Sequence, residues 1–337
     1  MGKVRQLLGW FLAGVLLVGT ITACTGNKEK GRELTLVSYA VTENAYHKII
    51  SQFTDQWKKK TGETVIFNES YGGSGAQTRA VIDGLEADIV ALALGLDIDK
   101  IAKAGLLRPG WAKKFPHNSV PYTSVVGLVG REGKIKTWSD LANNPIKVIT
   151  ANPKTSGVAR WNFLALWGAI TQAGGTEKQA TEFIKNIYKN APILPRDARD
   201  ASDIFYRRGQ GNVLINYENE ILLINKTEKL YPYFIPTDYN ISIDSPVAIV
   251  DKNVEKHKTR KIAEAFVQFL YRPEAQKIFA ESGFRVREPT IAAQYISQYP
   301  PIKNLFTVQD LGGWEKIEKD FFAEGALFDK ILNTQAK

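Results

Sequence analysis

The sequence predicts an α/β protein with mostly parallel sheets covered by helices. Three observations predict it. Short β-rich apolar segments alternate with helix-period segments along most of the chain. Segment 87–94 is apolar apart from Asp88, as suits a strand buried on both faces. Segment 45–60 places Ile49, Ile50, Phe53 and Trp57 on one side, the spacing of an amphipathic helix.

In chain order, 33–39 reads as a strand through Leu34, Leu36 and Val37, and 45–60 as the helix just described. A strand at 64–67 leads into a glycine-rich turn, and 77–83 is helical. Further strands are predicted at 123–129, 146–150, 213–215 and 245–250. Helices are predicted at 157–171, 178–188, 201–208, 262–271 and 273–282. The 337 residues suffice for two such domains. Proline-bearing stretches at 116–121 and 232–246 are the boundary cues.

The first 25 residues read as an address. Lys3 and Arg5 precede an uncharged run from Leu7 to Ile21, too short for an ordinary spanning helix of about 20 residues. The run ends in Ile21-Thr22-Ala23-Cys24, which resembles a bacterial lipobox, so residues 1–23 are expected to be a lipoprotein signal peptide. Cys24 would be the lipidated first residue of the mature chain, followed by a polar tether over 24–32. It is the sole cysteine, which excludes an intrachain disulfide and a zinc site built on cysteine pairs.

Net charge is +9, or +7 without Lys3 and Arg5. The basic residues are spread along the chain, which speaks against nucleic acid as a partner. The short run Lys58-Lys59-Lys60 reads as a helix end, where cations suit the dipole. His47, His117 and His257 stand far apart, with no metal-ligand spacing. No nucleophile–base pair is apparent, so a secreted hydrolase is a weak alternative, as is a ligand-free scaffolding lipoprotein.

Three turns could hold an anion. Ser70-Tyr71-Gly72-Gly73-Ser74-Gly75 lies between a strand and a helix, with Ser74 as a plain N-cap in the simpler reading. Asn152-Pro153-Lys154-Thr155-Ser156-Gly157 opens a long apolar helix and lacks P-loop spacing. There the Ser156 hydroxyl and the N–H groups of Gly157 and Val158 would point at one spot. Pro195-Arg196-Asp197-Ala198-Arg199-Asp200 leads into the helix expected at 201. All three stand at helix starts, where unpaired N–H groups and the dipole favour negative charge. Strand-to-helix junctions of α/β sheets are where ligands bind.

With Leu36-Val37-Ser38-Tyr39, Gly84-Leu85-Glu86-Ala87-Asp88, Gly211-Asn212-Val213-Leu214-Ile215-Asn216-Tyr217-Glu218-Asn219-Glu220 and Gly312-Gly313-Trp314, these segments resemble the periplasmic sulfate-binding proteins of sulfate/thiosulfate ABC importers. The resemblance runs in order over nearly the whole mature chain. It implies a type II periplasmic binding protein fold, two α/β lobes joined by two crossing strands, with 33–121 and 246–337 in one lobe and 122–245 in the other. It implies no enzyme activity and no cofactor. A monomer would hold sulfate in the cleft and close on it, making a surface for the importer's membrane permease subunits to read.

The family's ligand contacts fall here on the backbone of Ala40, Ser74, Gly157, Val158 and Ala198, on the Ser156 hydroxyl, and on Tyr217. Three positions depart from the pattern. Ala40 stands where Asp is common, Val158 replaces Gly, and Tyr217 replaces a Trp whose indole donates. Asp197 is expected to point away from the ligand. Thiosulfate, molybdate and chromate remain open as ligands, being tetrahedral and acceptor-rich like sulfate.

Overall fold

The structure, a computed structural model, describes residues 31–133, 135–142, 146–227 and 231–333. The expected signal peptide, Cys24 and all but the last two residues of the tether lie outside the described residues.

The chain opens with β1 (Arg32–Tyr39), α1 (Glu43–Thr61), β2 (Val65–Gly72), α2 (Ser74–Ile82), β3 (Ile89–Ala91) and α3 (Gly95–Lys103). The short α4 (Pro116–Ser119) leads to β4 (Tyr122–Ser124), β5 (Val126–Gly130) and β6 (Val148–Ile149). Then come α5 (Gly157–Thr171), α6 (Glu177–Lys189), α7 (Ala198–Tyr206), β7 (Val213–Tyr217) and α8 (Glu218–Thr227). Four short strands follow: β8 (Tyr233–Phe234), β9 (Tyr239–Ile241), β10 (Ile243–Ser245) and β11 (Val247–Ile249). The rest is α9 (Asp251–His257), α10 (Arg260–Phe269), α11 (Pro273–Glu281), β12 (Arg285–Val286), α12 (Pro289–Tyr295), β13 (Asn304–Phe306), α13 (Gly313–Ile317) and α14 (Leu327–Asn333).

Two four-stranded sheets, ordered β11-β3-β1-β2 and β6-β7-β5-β8, are the centres of two α/β lobes. Strands β1, β2 and β3 are parallel, as alternation with helices requires. The sheets are nevertheless mixed: β11 runs antiparallel to β3, and β5 antiparallel to β7 and β8. The reason is local. Strands β5 and β11 follow β4 and β10 after one residue each, so neither is reached through a helical crossover. The strands β4 and β10 pair with each other where the chain passes between the sheets.

The expected strands 123–129 and 245–250 therefore each break in two, at Val125 and Pro246. Within 87–94 only Ile89–Ala91 pairs as a strand, although the whole run is buried. The strand expected at 64–67 continues to Gly72, in register with β1 from Arg32↔Val65 to Tyr39↔Gly72. Polar Asn68, Glu69 and Ser70 hid this extension, because β2 is a sheet edge and tolerates them. Helix α5 occupies the predicted span and is buried along nearly its whole length, with Trp161, Leu164, Leu166 and Trp167 in the core. Phe321, Phe322 and Phe328 from the end of the chain pack against Phe163 of α5.

Candidate functional site

Each of the three glycine- or proline-bearing turns delivers a helix start. Strand β1 ends at Tyr39, and a single 3-10 turn from Ala40 to Thr42 leads into α1. Strand β2 ends at Gly72, and Gly73, in extended conformation, is the N-cap of α2. Ser74 is thus the first helical residue rather than the cap. Its hydroxyl is engaged elsewhere, donating to Asp97 Oδ2 at 2.6 Å and accepting from the Ala93 N–H at 3.0 Å. The backbone is the group Ser74 has left to offer.

The second turn is tied by its own Asn152, whose carbonyl accepts from the N–H groups of Thr155 and Ser156. Ser156 is the N-cap of α5, yet its side chain makes no capping hydrogen bond. Its hydroxyl and the N–H groups of Gly157 and Val158 stand together at one helix start. Val158 is itself buried in the core, so only its backbone is available there.

The third turn opens α7 at Ala198, three residues before the predicted start at 201. The cause is Asp197, whose carboxylate accepts from the Asp200 N–H at 2.9 Å and caps the helix. The Asp197 side chain is thereby turned to its own helix. Thr155 Oγ1 donates to the Arg196 carbonyl at 2.7 Å, and the Asn152 N–H to the Pro195 carbonyl at 2.8 Å, so the second and third turns are stitched together.

The first turn lies directly against them. A side-chain carbon on Gly73 would come within 2.6 Å of the Thr155 carbonyl and 3.2 Å of that of Arg196. One on Gly157 would come within 2.5 Å of Ala93 Cβ and 3.2 Å of Ser74 Cβ. Glycine at 73 and 157 is what lets the starts of α2 and α5 meet. Ala40, Gly72 and Asp197 line one cavity of about 570 Å³ beside this junction, with Arg199 among its walls. Arg199 pairs with the buried Glu220 at 3.1 Å.

Tyr217, at the end of β7, is 2% exposed and its ring lies 5.9 Å from that of Tyr39. Its hydroxyl is buried with no hydrogen-bond partner among the described residues. Burial first, then the neighbouring Tyr39, Asp97 and Asp197, push this hydroxyl well above the ordinary tyrosine range. It is a protonated donor at neutral pH. The structure thus gathers Ser74, Ser156, Gly157 and Val158 at one junction. Ala40 and Asp197, with Ala198 next in chain, border the adjoining cavity, and Tyr217 sits among Tyr39, Asp97 and Asp197.

Sequence reasoning missed the charges behind the turns. Asp97 is 1% exposed, and burial raises its carboxyl above the usual range against the opposing pull of Arg160, Ser74 and Lys100. Arg160 lies 3.8 Å from Asp97 and 3.5 Å from Glu318, which also meets Lys100 at 2.6 Å. The one available signal for Asp97 was its place a turn after the buried run 87–94. Nothing in its neighbourhood, Leu96-Asp97-Ile98-Asp99-Lys100, distinguishes it from a solvated helix charge.

Such a site offers donors and few acceptors, suited to binding an anion. Among the described residues no group of three His, Cys, Asp or Glu could hold a metal ion. Residues 34–285 match the bacterial extracellular solute-binding protein family. The chain belongs to that family. Membership gives it a binding role rather than a catalytic one. It is 53% identical to a sulfate-binding protein of Synechocystis sp., over 97% of this chain and 98% of the relative. A sulfate-binding protein of Synechococcus elongatus is 54% identical over 94% of this chain and 93% of its own length. Among solved structures, the sulfate-binding protein of Mycobacterium tuberculosis is similar with a TM-score of 0.78 at 32% identity, covering 86% of this chain and 99% of its own. No helix among the described residues of this solute-binding protein is long and apolar enough to cross a membrane.

Proposed function

We propose that the protein captures sulfate between its lobes and hands it to the permease subunits of an ABC importer. The observation that carries this reading is the meeting of the α2 and α5 starts, with the unpartnered hydroxyl of Tyr217 nearby. The donors are the N–H groups of Ala40, Ser74, Gly157, Val158 and Ala198 and the hydroxyls of Ser156 and Tyr217. The lobes cross near residues 122 and 245, and closure buries the ion.

Sulfate at neutral pH is a dianion without a proton, so it only accepts hydrogen bonds. Each bond to a charged group is worth about 1.5–3 kcal/mol net. Around six offset the dehydration of the ion and leave a micromolar site, roughly −8 kcal/mol. Phosphate keeps at least one proton near pH 7, and that proton needs an acceptor. On the third turn, the Asp197 carboxylate is turned to capping α7. A phosphate proton then faces a donor, at about 1–3 kcal/mol. Calorimetric titration with sulfate, thiosulfate, molybdate and phosphate is the test. Sulfate is expected to bind well and phosphate poorly; comparable affinities for these two would refute the donor-only site.

The protein acts outside the cytoplasm in this reading, as a monomer lipid-anchored through Cys24. Mature protein should partition into detergent, and Cys24→Ser should abolish this. A wild-type protein that stays in the aqueous phase would remove the anchor but not the binding site.

A further inference from the structure

The end of the first lobe opposite the anion site carries a groove of about 440 Å³ between α1 and α10. Its walls include the aromatic side chains of Phe53, Trp57 and Phe269, and its rim Lys59, Lys60 and Arg272. These three cations are exposed, and no acidic residue lines the groove among the described residues. Lysines in the last turn of α1 suit its dipole, which would account for two of them. Arg272 stands where α10 gives way to α11, two residues past the α10 C-cap Leu270 and itself the N-cap of α11. The basic rim is thus drawn from two separate helix ends that meet at one groove.

The chain's own path points to what covers this rim. Helix α1 ends in the left-handed Gly62, and the chain turns back into β2 beside the start of β1. The Arg32 N–H donates to the Thr64 carbonyl at 2.8 Å, and its side chain meets Glu63 at 3.3 Å. The tether thus leaves the folded protein within a few residues of Lys60. Cys24 precedes Gly31 by seven residues, a reach of at most about 25 Å. An anchored chain cannot hold this end far from the bilayer.

We propose that the groove between α1 and α10 docks on an anionic phospholipid surface, with Lys59, Lys60 and Arg272 meeting the headgroups. The orientation, though not the charge chemistry, rests on the lipid anchor at Cys24. The alkyl stems of the lysines lie over the aromatic floor while their ammonium groups reach the phosphates. Each such cation near an anionic surface is worth about a fivefold gain in partitioning. Three give roughly a hundredfold at low salt. Helix α1, of 19 residues, is about 28 Å long, so its far end and the anion cleft face away from the bilayer, open to solute.

The test uses exported protein with vesicles of phosphatidylcholine alone or with one-third phosphatidylglycerol. Hydrogen exchange is followed over 56–61 and 265–272, at lipid concentrations high enough to bind unanchored protein. Protection of both segments is expected with phosphatidylglycerol only, lost at about 0.5 M salt and in Lys59→Glu/Lys60→Glu/Arg272→Glu. The triple variant should keep its sulfate-induced rise in melting temperature, showing that it is folded. Exchange that ignores phosphatidylglycerol, or protection that survives the triple variant, would overturn the proposal. Flotation with pure phosphatidylcholine vesicles reads the anchor separately, so loss of the anchor and loss of the docking face are distinguishable.

Discussion

At Tyr217 the protein carries a hydroxyl into its interior and gives it no hydrogen-bond partner among the described residues. Burying such a group costs about 1–3 kcal/mol. A donor aimed at a bound dianion accounts for that cost. Tyr217→Phe should therefore leave the ligand-free protein as stable or more stable by about 1 kcal/mol. Its sulfate affinity should fall tenfold or more, because a charge-assisted bond of about 1.5–3 kcal/mol is gone. Melting curves with and without sulfate measure both; a destabilised variant with unchanged affinity would remove Tyr217 from the site. A second residue gives a pH dependence. His257 Nδ1 lies 2.9 Å from Asp88 and Nε2 2.9 Å from Glu86. Burial opposes the charged ring, but the bonds to Glu86 and Asp88 together outweigh it and raise its pKa above the usual value. The stability this contributes is full below the unfolded pKa of about 6.5. It is lost as pH rises through the raised folded value. Urea midpoints should fall across that window in the wild type, and His257→Gln should flatten this part of the profile.

At the scale of elements, the close approach of α2 and α5 depends on what Gly73 and Gly157 lack. A methyl at 157 meets Ala93 Cβ at 2.5 Å, a contact that backbone or lobe must move to relieve. Residue 157 follows β6 of one sheet, while Ala93 follows β3 of the other. Gly157→Ala should thus act mainly as a wedge between lobes. Sulfate affinity is expected to drop more than tenfold, with helical content retained by circular dichroism. Unaltered affinity would mean that the two helix starts need not meet. These glycines were legible in the sequence as turns, and so was the whole of α5, because Ser156 and the apolar run after it mark its start. The start of α7 was not, since Arg196, Asp197, Arg199 and Asp200 look like a solvated loop until Asp197 is seen to cap the helix. Helices α3 and α8 were also missed. The first α8 residues, Glu218, Asn219 and Glu220, are polar yet fully or almost fully buried, which erases the apolar period. Glu218 survives there because Arg285 meets it at 2.6 and 2.8 Å. A partner 67 residues away leaves no trace in local pattern.

Across the whole molecule, the two sheets are joined by the paired strands β4 and β10 and again by the end of the chain. Glu318 reaches Lys100 of α3 at 2.6 Å and Arg160 of α5 at 3.5 Å, and these helices follow strands of different sheets. Trp314 lies against Gly95 of α3, and its ring centre is 5.1 Å from that of Trp161 in α5. The C-terminal segment thus straps α5, whose start lies at the anion site, to α3, whose Asp97 holds the Ser74 hydroxyl at the start of α2. A strap of this kind favours the closed arrangement over an open one. Opening it should raise the fraction of molecules that must first close, and apparent affinity falls by that fraction. Glu318→Gln keeps the shape and removes the charge. The pairs are partly exposed, so about 1 kcal/mol is at stake, three- to tenfold in sulfate affinity. The unliganded melting temperature should move little, and the scattering radius of ligand-free protein should grow. A variant that loses stability while binding sulfate as tightly as the wild type would show the strap to be structural only. If the strap does favour closure, Lys100→Met repeats the affinity loss in part, because it cuts the α3 side of the same bridge and leaves Arg160 paired.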